Sequence, residues 1–319
     1  MPNNEPRRHH YTPVLLLKRF ADSDGLLHVV SREKGHRYKA KPNAVGFEND
    51  FYTLEDGADV EDRYAVEKAF AEFEGEASAL LDEIIAAGTI PDDADKFNTL
   101  MNFIALSAAR IPAMRAVITK PIEEIAEMIL HMNLASEEQF NYSYKQAGID
   151  VDAIGLTYEK AKEIAAALTI RTTTAAYIHH LNTVVNIMLP LLADRHWCVL
   201  RNDAANATLI VTDNPVGITW SDGHRPGNLF DNPAFGRTQT DVSIPIGSRI
   251  ALLGRFEPLP GTQEMDALGV ASMNTKTLAG CQRFIAGAAD DFTCVNDAGA
   301  IVTDEEVIEH LKKLAAEKA

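Results

Sequence analysis

The stretch from Trp197 to Val216 reads WCVLRNDAANATLIVTDNPV, and it is where the chain changes its period. Its apolar residues come in short runs rich in β-branched side chains, bounded by Asn, Asp and Pro, which is the pattern of strands and turns. Two strands are predicted, Trp197 to Arg201 and Thr208 to Thr212, joined by a turn through Asn202 to Asn206 and closed by Asp213-Asn214-Pro215. Everything immediately upstream has a helical period instead. Val66, Phe70, Phe73, Ala77, Leu80, Leu81 and Ile84 form one stripe at 100° per residue over a helix at 64 to 87. A more apolar helix follows at 95 to 118, kinked by Pro112 after Arg110, and further helices are expected at about 121 to 133, 136 to 147, 157 to 169 and 172 to 193.

Strand signals return at the other end of the helical block. Thr12-Pro13 reads as the opening of a short helix to Phe20, and Leu26 to Arg32 with His36 to Lys41 reads as a hairpin. Phe47 to Tyr52 is an aromatic-flanked acidic turn. Downstream of Val216, residues 219 to 240 form a polar loop rich in turn formers, and Asp241 to Ile246 with Arg249 to Phe256 reads as another hairpin. A helix at about 271 to 286, a strand at Phe292 to Val295 and a final helix at 304 to 317, opened by Thr303-Asp304-Glu305-Glu306, complete the chain. A lone hairpin is marginal in water, so the two β-rich segments, about 22 to 54 and 197 to 257, are expected to share a sheet. The predicted class is α+β. A bundle-like helical insert, about 64 to 193, packs with a small, mostly antiparallel sheet built from N- and C-terminal segments, in a single domain over 1 to 319.

Composition narrows the functional classes. The chain has 319 residues, 30 Lys and Arg against 46 Asp and Glu, and a formal charge of -16. That charge disfavours nonspecific binding to nucleic acid or to an anionic membrane. Positive charge gathers only at Arg7, Arg8, His9 and His10 and at Lys34, Arg37, Lys39 and Lys41. Cys198, Cys281 and Cys294 have no metal-ligand spacing, and the first residues carry no apolar run of an export signal, so a cytoplasmic protein with reduced thiols is expected.

The candidate chemistry rests on polar residues where packing gives little reason for them. On the helix at 64 to 87, Glu72, Glu76 and Glu83 point away from the apolar stripe and are ordinary solvated charges. Glu67 and Glu74 lie on its edge, where a carboxylate is half buried and needs a partner. Arg110, among apolar helix positions, is that partner for one of them. His9 and His10, next to two arginines and just before a helix, can supply an acid/base or meet an anion. Asp213, at a strand end, can be a general base or metal ligand, with Asn214 beside it; the plain alternative is a turn. No phosphate-binding Gly-Lys loop, nucleophile elbow or paired-His zinc helix is present.

Taken together, His9-His10-Tyr11-Thr12-Pro13, Phe47 to Tyr52, the Glu67 to Glu74 helix, Arg110-Ile111-Pro112, Trp197, Asp213-Asn214-Pro215-Val216, Pro245, and Asn274 with Arg283-Phe284 resemble the bacterial family called domain of unknown function 4238. The resemblance runs from about residue 8 to 295. It implies a shared architecture and marks His9, His10, Glu48, Glu67, Glu74, Arg110, Asp213 and Asn214 as motif positions. Two readings follow. In the first, the chain is a hydrolase of a phosphate or amide bond, with His10, Glu67, Glu74 and Asp213 catalytic. His9, Arg110 and Asn214 then hold a small or phosphorylated ligand, and Asp213 with Glu74 binds a divalent metal ion. In the second it is a noncatalytic binding or regulatory module, the same residues forming a structural ion-pair network.

Overall fold

The computed structural model describes residues 7–55, 62–203, 207–221 and 232–316. The chain opens with strand β1 (Arg8–His10), helix α1 (Val14–Lys18), the hairpin β2 (Leu27–Ser31) and β3 (Arg37–Ala40), and β4 (Phe47–Asn49). The helical middle follows: α2 (Ala65–Ala87), α3 (Ala94–Ala109), α4 (Pro112–Asn133), α5 (Glu137–Gln146), α6 (Tyr158–Ala167) and α7 (Thr174–Ala193). Strands β5 (His196–Arg201), β6 (Val211–Thr212), β7 (Gly217–Trp220), β8 (Thr240–Gly247), β9 (Ile250–Arg255) and β10 (Thr262–Glu264) come next. Helix α8 (Ala267–Leu278), strands β11 (Phe284–Gly287), β12 (Thr293–Val295) and β13 (Ile301–Thr303), and α9 (Asp304–Ala316) end the chain. The fold is α+β, as the periodicity predicts.

The antiparallel component divides into two sheets and two ribbons. One sheet has the order β10-β5-β9-β8-β7, antiparallel except for the β10–β5 edge. The other, β3-β2-β11-β6, joins the N-terminal hairpin to C-terminal strands through β11. Strand β1 pairs with β4, and β12 with β13. Every residue of β8 is buried, as for a central strand covered on both faces. Its Pro245 falls beyond the pairing of β7, which stops at Ser243, and at a register shift against β9; strands tolerate proline in such places. A single apolar cluster runs from Leu16, Leu17 and Phe20 through Leu81 and Ile84 of α2, Leu100 and Ile104 of α3 and Tyr177 of α7 to Val242, Ile244 and Leu252 of the large sheet. Sheet and helices therefore bury each other.

Several boundaries differ from the sequence reading. Thr12 does not cap α1. Pro13 stands at the N-cap with no side-chain hydrogen bond, and the Thr12 hydroxyl donates instead to the Asp213 carbonyl at 3.5 Å. His9 and His10 lie in β1, separated from the helix. The expected kink at Pro112 is a full break: α3 ends at Arg110, Pro112 opens α4 at its first turn, and the two axes meet at 64°. The segment 121 to 133 is the second half of α4, with Pro121 inside it. The helix expected at 271 to 286 ends at Leu278, because residues 284–287 are drawn into the sheet as β11 between β2 and β6. Of the loop at 219 to 240, residues 222–231 lie outside the described residues, as does position 317 of the last helix. Among the described residues no single helix is long and apolar enough to cross a membrane. All three cysteines are free and buried.

The packing of the large sheet on α7 is fixed at one pair. Trp197 faces Gly254 across β5 and β9, and its indole N–H donates to the Leu192 carbonyl at 2.9 Å. A Cβ at residue 254 would lie 2.8 Å from the indole ring. The ring is held on both sides, so Gly254→Ala is expected to lower unfolding stability by about 1 to 3 kcal/mol, read by urea denaturation, with no loss from Gly261→Ala, where a Cβ meets open space.

Candidate functional site

The β1–β4 ribbon sets His9 opposite Glu48 and His10 opposite Phe47. Strand alternation sends the two histidines to opposite faces, as expected for neighbours. His9 is fully buried. Its Nδ1 accepts the Tyr52 backbone N–H at 2.8 Å, which places the ring proton on Nε2, and the ring stacks on Tyr52 at 5.9 Å between centroids. Tyr52, also buried, donates its hydroxyl to the Arg110 carbonyl at 2.9 Å. That carbonyl sits at the α3–α4 break, so a side chain from the ribbon satisfies a main-chain group the helices leave open.

Arg110 is 3 % exposed. Its Nη2 donates to Glu74 Oε1 at 2.8 Å and its guanidinium lies 5.4 Å over the Phe70 ring. The predicted pair is therefore Arg110 with Glu74. Glu67, two turns earlier on α2, has no hydrogen-bond partner among the described residues. Burial raises its carboxyl to about 7, with the neighbouring Glu74 charge adding and Arg110 opposing. His10 Nε2 donates to the Asn43 carbonyl at 3.3 Å. Burial lowers its pKa, aided by the charges of Arg110 and Arg8, against the Asn43 carbonyl and Glu74. His10 and Glu67 thus each feel the charges of Glu74 and Arg110. Glu72, Glu76 and Glu83 are exposed, as their helical angles require.

Asp213 is not part of this group. Its Oδ1 accepts the N–H groups of Gln282 at 3.0 Å, Arg283 at 2.9 Å and Phe284 at 3.4 Å. A buried carboxylate with its lone pairs on main-chain amides acts as a structural clamp, the turn role that the sequence also allowed it. Asn214 stands in the same turn. Its N–H donates to Thr212 Oγ1 at 3.2 Å and its side chain donates to the Gly280 carbonyl at 3.4 Å. Among the described residues no three His, Cys, Asp or Glu side chains are grouped to hold a metal ion. The donor set proposed for a divalent ion, Asp213 with Glu74, is split between a backbone clamp and a guanidinium.

A cleft of about 470 Å³ lies on the far side of the Phe51–Tyr52 segment. One face of α4 lines it, with Pro112, Arg115, Ala116, Thr119, Lys120 and Glu123 recurring at three and four residues, and Glu48, Asp50, Phe51, Arg171, Thr172 and Arg283 complete the wall. Arg283 pairs with Glu48, and its guanidinium lies 5.2 Å over the Tyr11 ring. Asp50 takes Arg7, and Glu123 accepts the Thr172 N–H at 2.8 Å. Arg115 donates to the Phe51 carbonyl, and its guanidinium lies 4.6 Å from the centroid of each of the Phe51 and Tyr177 rings, which themselves meet edge to face at 6.2 Å. Among the described residues Arg115, Lys120 and Arg171 have no carboxylate partner. Sequence reading missed all three. The only signal was an arginine spaced on the same helix face as Thr119 and Glu123.

A larger cavity, about 590 Å³, lies between α8 and β9. Its cations are committed: Asp241, fully buried, takes Arg255 through two 2.8 Å bonds and Lys276 at 2.9 Å. Burial raises the Asp241 carboxyl, but these partners more than offset it and hold it low.

The chain belongs to the family described as "Protein of unknown function (DUF4238)", whose model matches residues 8–291. The match takes in the ribbon, the Glu67–Glu74–Arg110 group, the Asp213 clamp and every lining residue of the cleft, and it stops before β12, β13 and α9. No curated protein and no solved structure matches the chain.

Two outcomes test this geometry. Arg110→Ala leaves the Glu74 carboxylate without its cation and a void beneath Phe70, and is expected to destabilise by about 3 kcal/mol in urea denaturation. Glu67 should titrate as a raised carboxyl. Because its folded pKa, about 7, exceeds the ordinary 4.5, the fold binds the proton more tightly than the unfolded chain. Its contribution is then most favourable below 4.5 and is lost as pH rises through 7. Glu67→Gln should melt higher than the parent at pH 8 and with no such gain at pH 4. An equal gain at both pH values would show that Glu67 titrates normally.

Proposed function

For a chain of this family we propose a binding role: the cleft beside Phe51 takes a small anionic ligand carrying a phosphate or carboxylate group. The observation that supports this reading is Arg115, a guanidinium seated against two aromatic rings that meet edge to face, lining a cleft and lacking a carboxylate partner among the described residues in a protein of net charge -16. Such a planar donor, with its rotamer already fixed, loses little freedom on meeting a forked anion. Arg171 and Lys120 add charge from the same wall. The Glu48–Arg283 pair supplies a second guanidinium whose partner can be exchanged for a ligand oxygen. Arg110 and Glu74, by contrast, fit the role of an internal tie between α2 and the α3–α4 break.

The hydrolytic reading has one observation in its favour. Glu67 is a half-buried carboxyl raised to about 7, without a hydrogen-bond partner among the described residues, and it feels the charges of Glu74 and of the buried Arg110 guanidinium. A group near neutrality is suited to pass a proton to a phosphate or amide leaving group. Neither Glu67 nor His10 lines the cleft, however, so a ligand bound there would not meet them.

Calorimetric titration with inorganic phosphate and pyrophosphate separates the readings. Binding is expected, with a rise in melting temperature, and Arg115→Met, which keeps the stacked bulk without the charge, should weaken it about tenfold or more. Binding that persists unchanged in Arg115→Met and Arg171→Met would overturn the cleft assignment. Turnover of p-nitrophenyl phosphate that follows a pKa near 7 and vanishes in Glu67→Gln would favour the hydrolase instead.

A further inference from the structure

Helix α4 has 22 residues, a length of about 33 Å, yet Thr119 is its only buried residue. Fifteen large hydrophobic side chains are exposed among the described residues, and twelve of them lie between Val117 and Ile187. On α4 they are ordered. At 100° per residue, Val117, Ile125, Met128 and Met132 fall within a stripe about 80° wide, with Ile122 and Ile129 on one flank. Val117, Ile125, Met128 and Met132 are each more than half exposed. The opposite flank carries Glu124 and Glu127, with Lys120 between them. The stripe is about 24 Å long, the length of a four-turn helix. The helices beyond it give it no cover: α5 and α6 close on a small cluster of their own around Leu134, Phe140 and Ala161.

We infer that this α4 face docks a basic amphipathic helix of a protein partner. A straight apolar stripe on a helix is matched by the apolar face of another helix laid along it. Charge decides which kind. On the flank of the stripe Glu124 and Glu127 outnumber Lys120, and from residue 120 to 170 the chain as a whole carries nine Asp and Glu against four Lys and Arg, so Lys and Arg are favoured on the incoming flank. A second copy of this chain fits worse. Antiparallel pairing centred on the stripe would set Glu124 near its own counterpart, within two surfaces of the same acidic excess. A lipid surface fits worse still, since Lys120, Glu123, Glu124 and Glu127 crowd eight residues of the helix and the acids are repelled by anionic headgroups. The inference does not depend on the cleft, which lies on the other face of α4.

The test uses the full chain and an amphipathic peptide of Leu and Lys, about 18 residues long, followed by fluorescence anisotropy. Its scrambled isomer, equal in charge, should bind about tenfold more weakly. The substitution set Ile125→Gln, Met128→Gln and Met132→Gln keeps charge and helix propensity and should cost a similar factor. Glu124→Lys with Glu127→Lys should also weaken the ordered peptide, an independent check if the glutamine variant does not fold. Equal binding of the two peptides, or full binding by both variants, would overturn the proposal. So would a dimer in sedimentation that the glutamine variant dissolves, which assigns the stripe to a second copy, or flotation of the parent chain with phosphatidylcholine–phosphatidylglycerol vesicles.

Discussion

A single buried carboxylate sets the frame on which the rest of the molecule is hung. Asp213 accepts three consecutive main-chain N–H groups, those of Gln282, Arg283 and Phe284, where the chain leaves α8 and enters β11. Those amides lie where the chain passes from α8 into β11, partly or fully shielded from water, and shielded amides left unpaired are costly. The carboxylate satisfies them, and they satisfy its charge. With that turn fixed, β11 can lie between β2 and β6 and carry the N-terminal hairpin into the fold. The same turn aims Arg283 toward Glu48 and Tyr11. One acid that does not itself line the cleft thereby supports both a sheet and a cation in the cleft wall.

The second constraint acts at the α3–α4 break. A straight helix through Arg110 would keep Arg115 on the α3 axis. Pro112 ends the ladder, the axes turn by 64°, and α4 brings Arg115 against Phe51 and Tyr177. Tyr52 holds the freed Arg110 carbonyl and Glu74 holds its guanidinium, so the bend is fixed from two directions. His9, stacked on Tyr52 and bonded to its amide, secures the ribbon that carries Tyr52. The histidine pair is thus divided between two tasks by strand alternation, with His9 in packing and His10 at the surface of the acidic group.

What was legible in the sequence was whatever depends on a local period. The helical angle alone separates Glu67 and Glu74 from Glu72, Glu76 and Glu83, and an arginine on an apolar face calls for a carboxylate, which Glu74 provides. The change of period at Trp197 gives the α+β class. The task of Asp213 was not legible, because its partners lie about seventy positions away and are peptide N–H groups, which look the same in every residue. The end of α8 was hidden for a related reason: Gly280-Cys281-Gln282 contains no proline, and the apolar spacing continues through Phe284 and Ile285 into what is a strand. Arg115 was overlooked because its significance lies in two rings from separate segments, one 64 residues before it and one 62 after, that meet only in the fold.

The charge of the molecule and that of its cleft have opposite consequences for what can bind. At physiological salt, fields fade over about 8 Å, so the net charge of -16 acts mainly on extended polyanions that must lie along the acidic surface. A small anion that enters a concave wall meets the nearest charges first. There the carboxylates are already occupied, Glu48 by Arg283, Asp50 by Arg7 and Glu123 by a backbone amide, while Arg115, Lys120 and Arg171 are not neutralised by a partner. The local balance is positive inside a negative protein. In the binding role proposed above, such an arrangement selects by size as well as by sign, favouring a compact phosphate or carboxylate over an extended polyanion. This combination, more than the buried Arg110–Glu74 pair, is what the proposed binding role rests on.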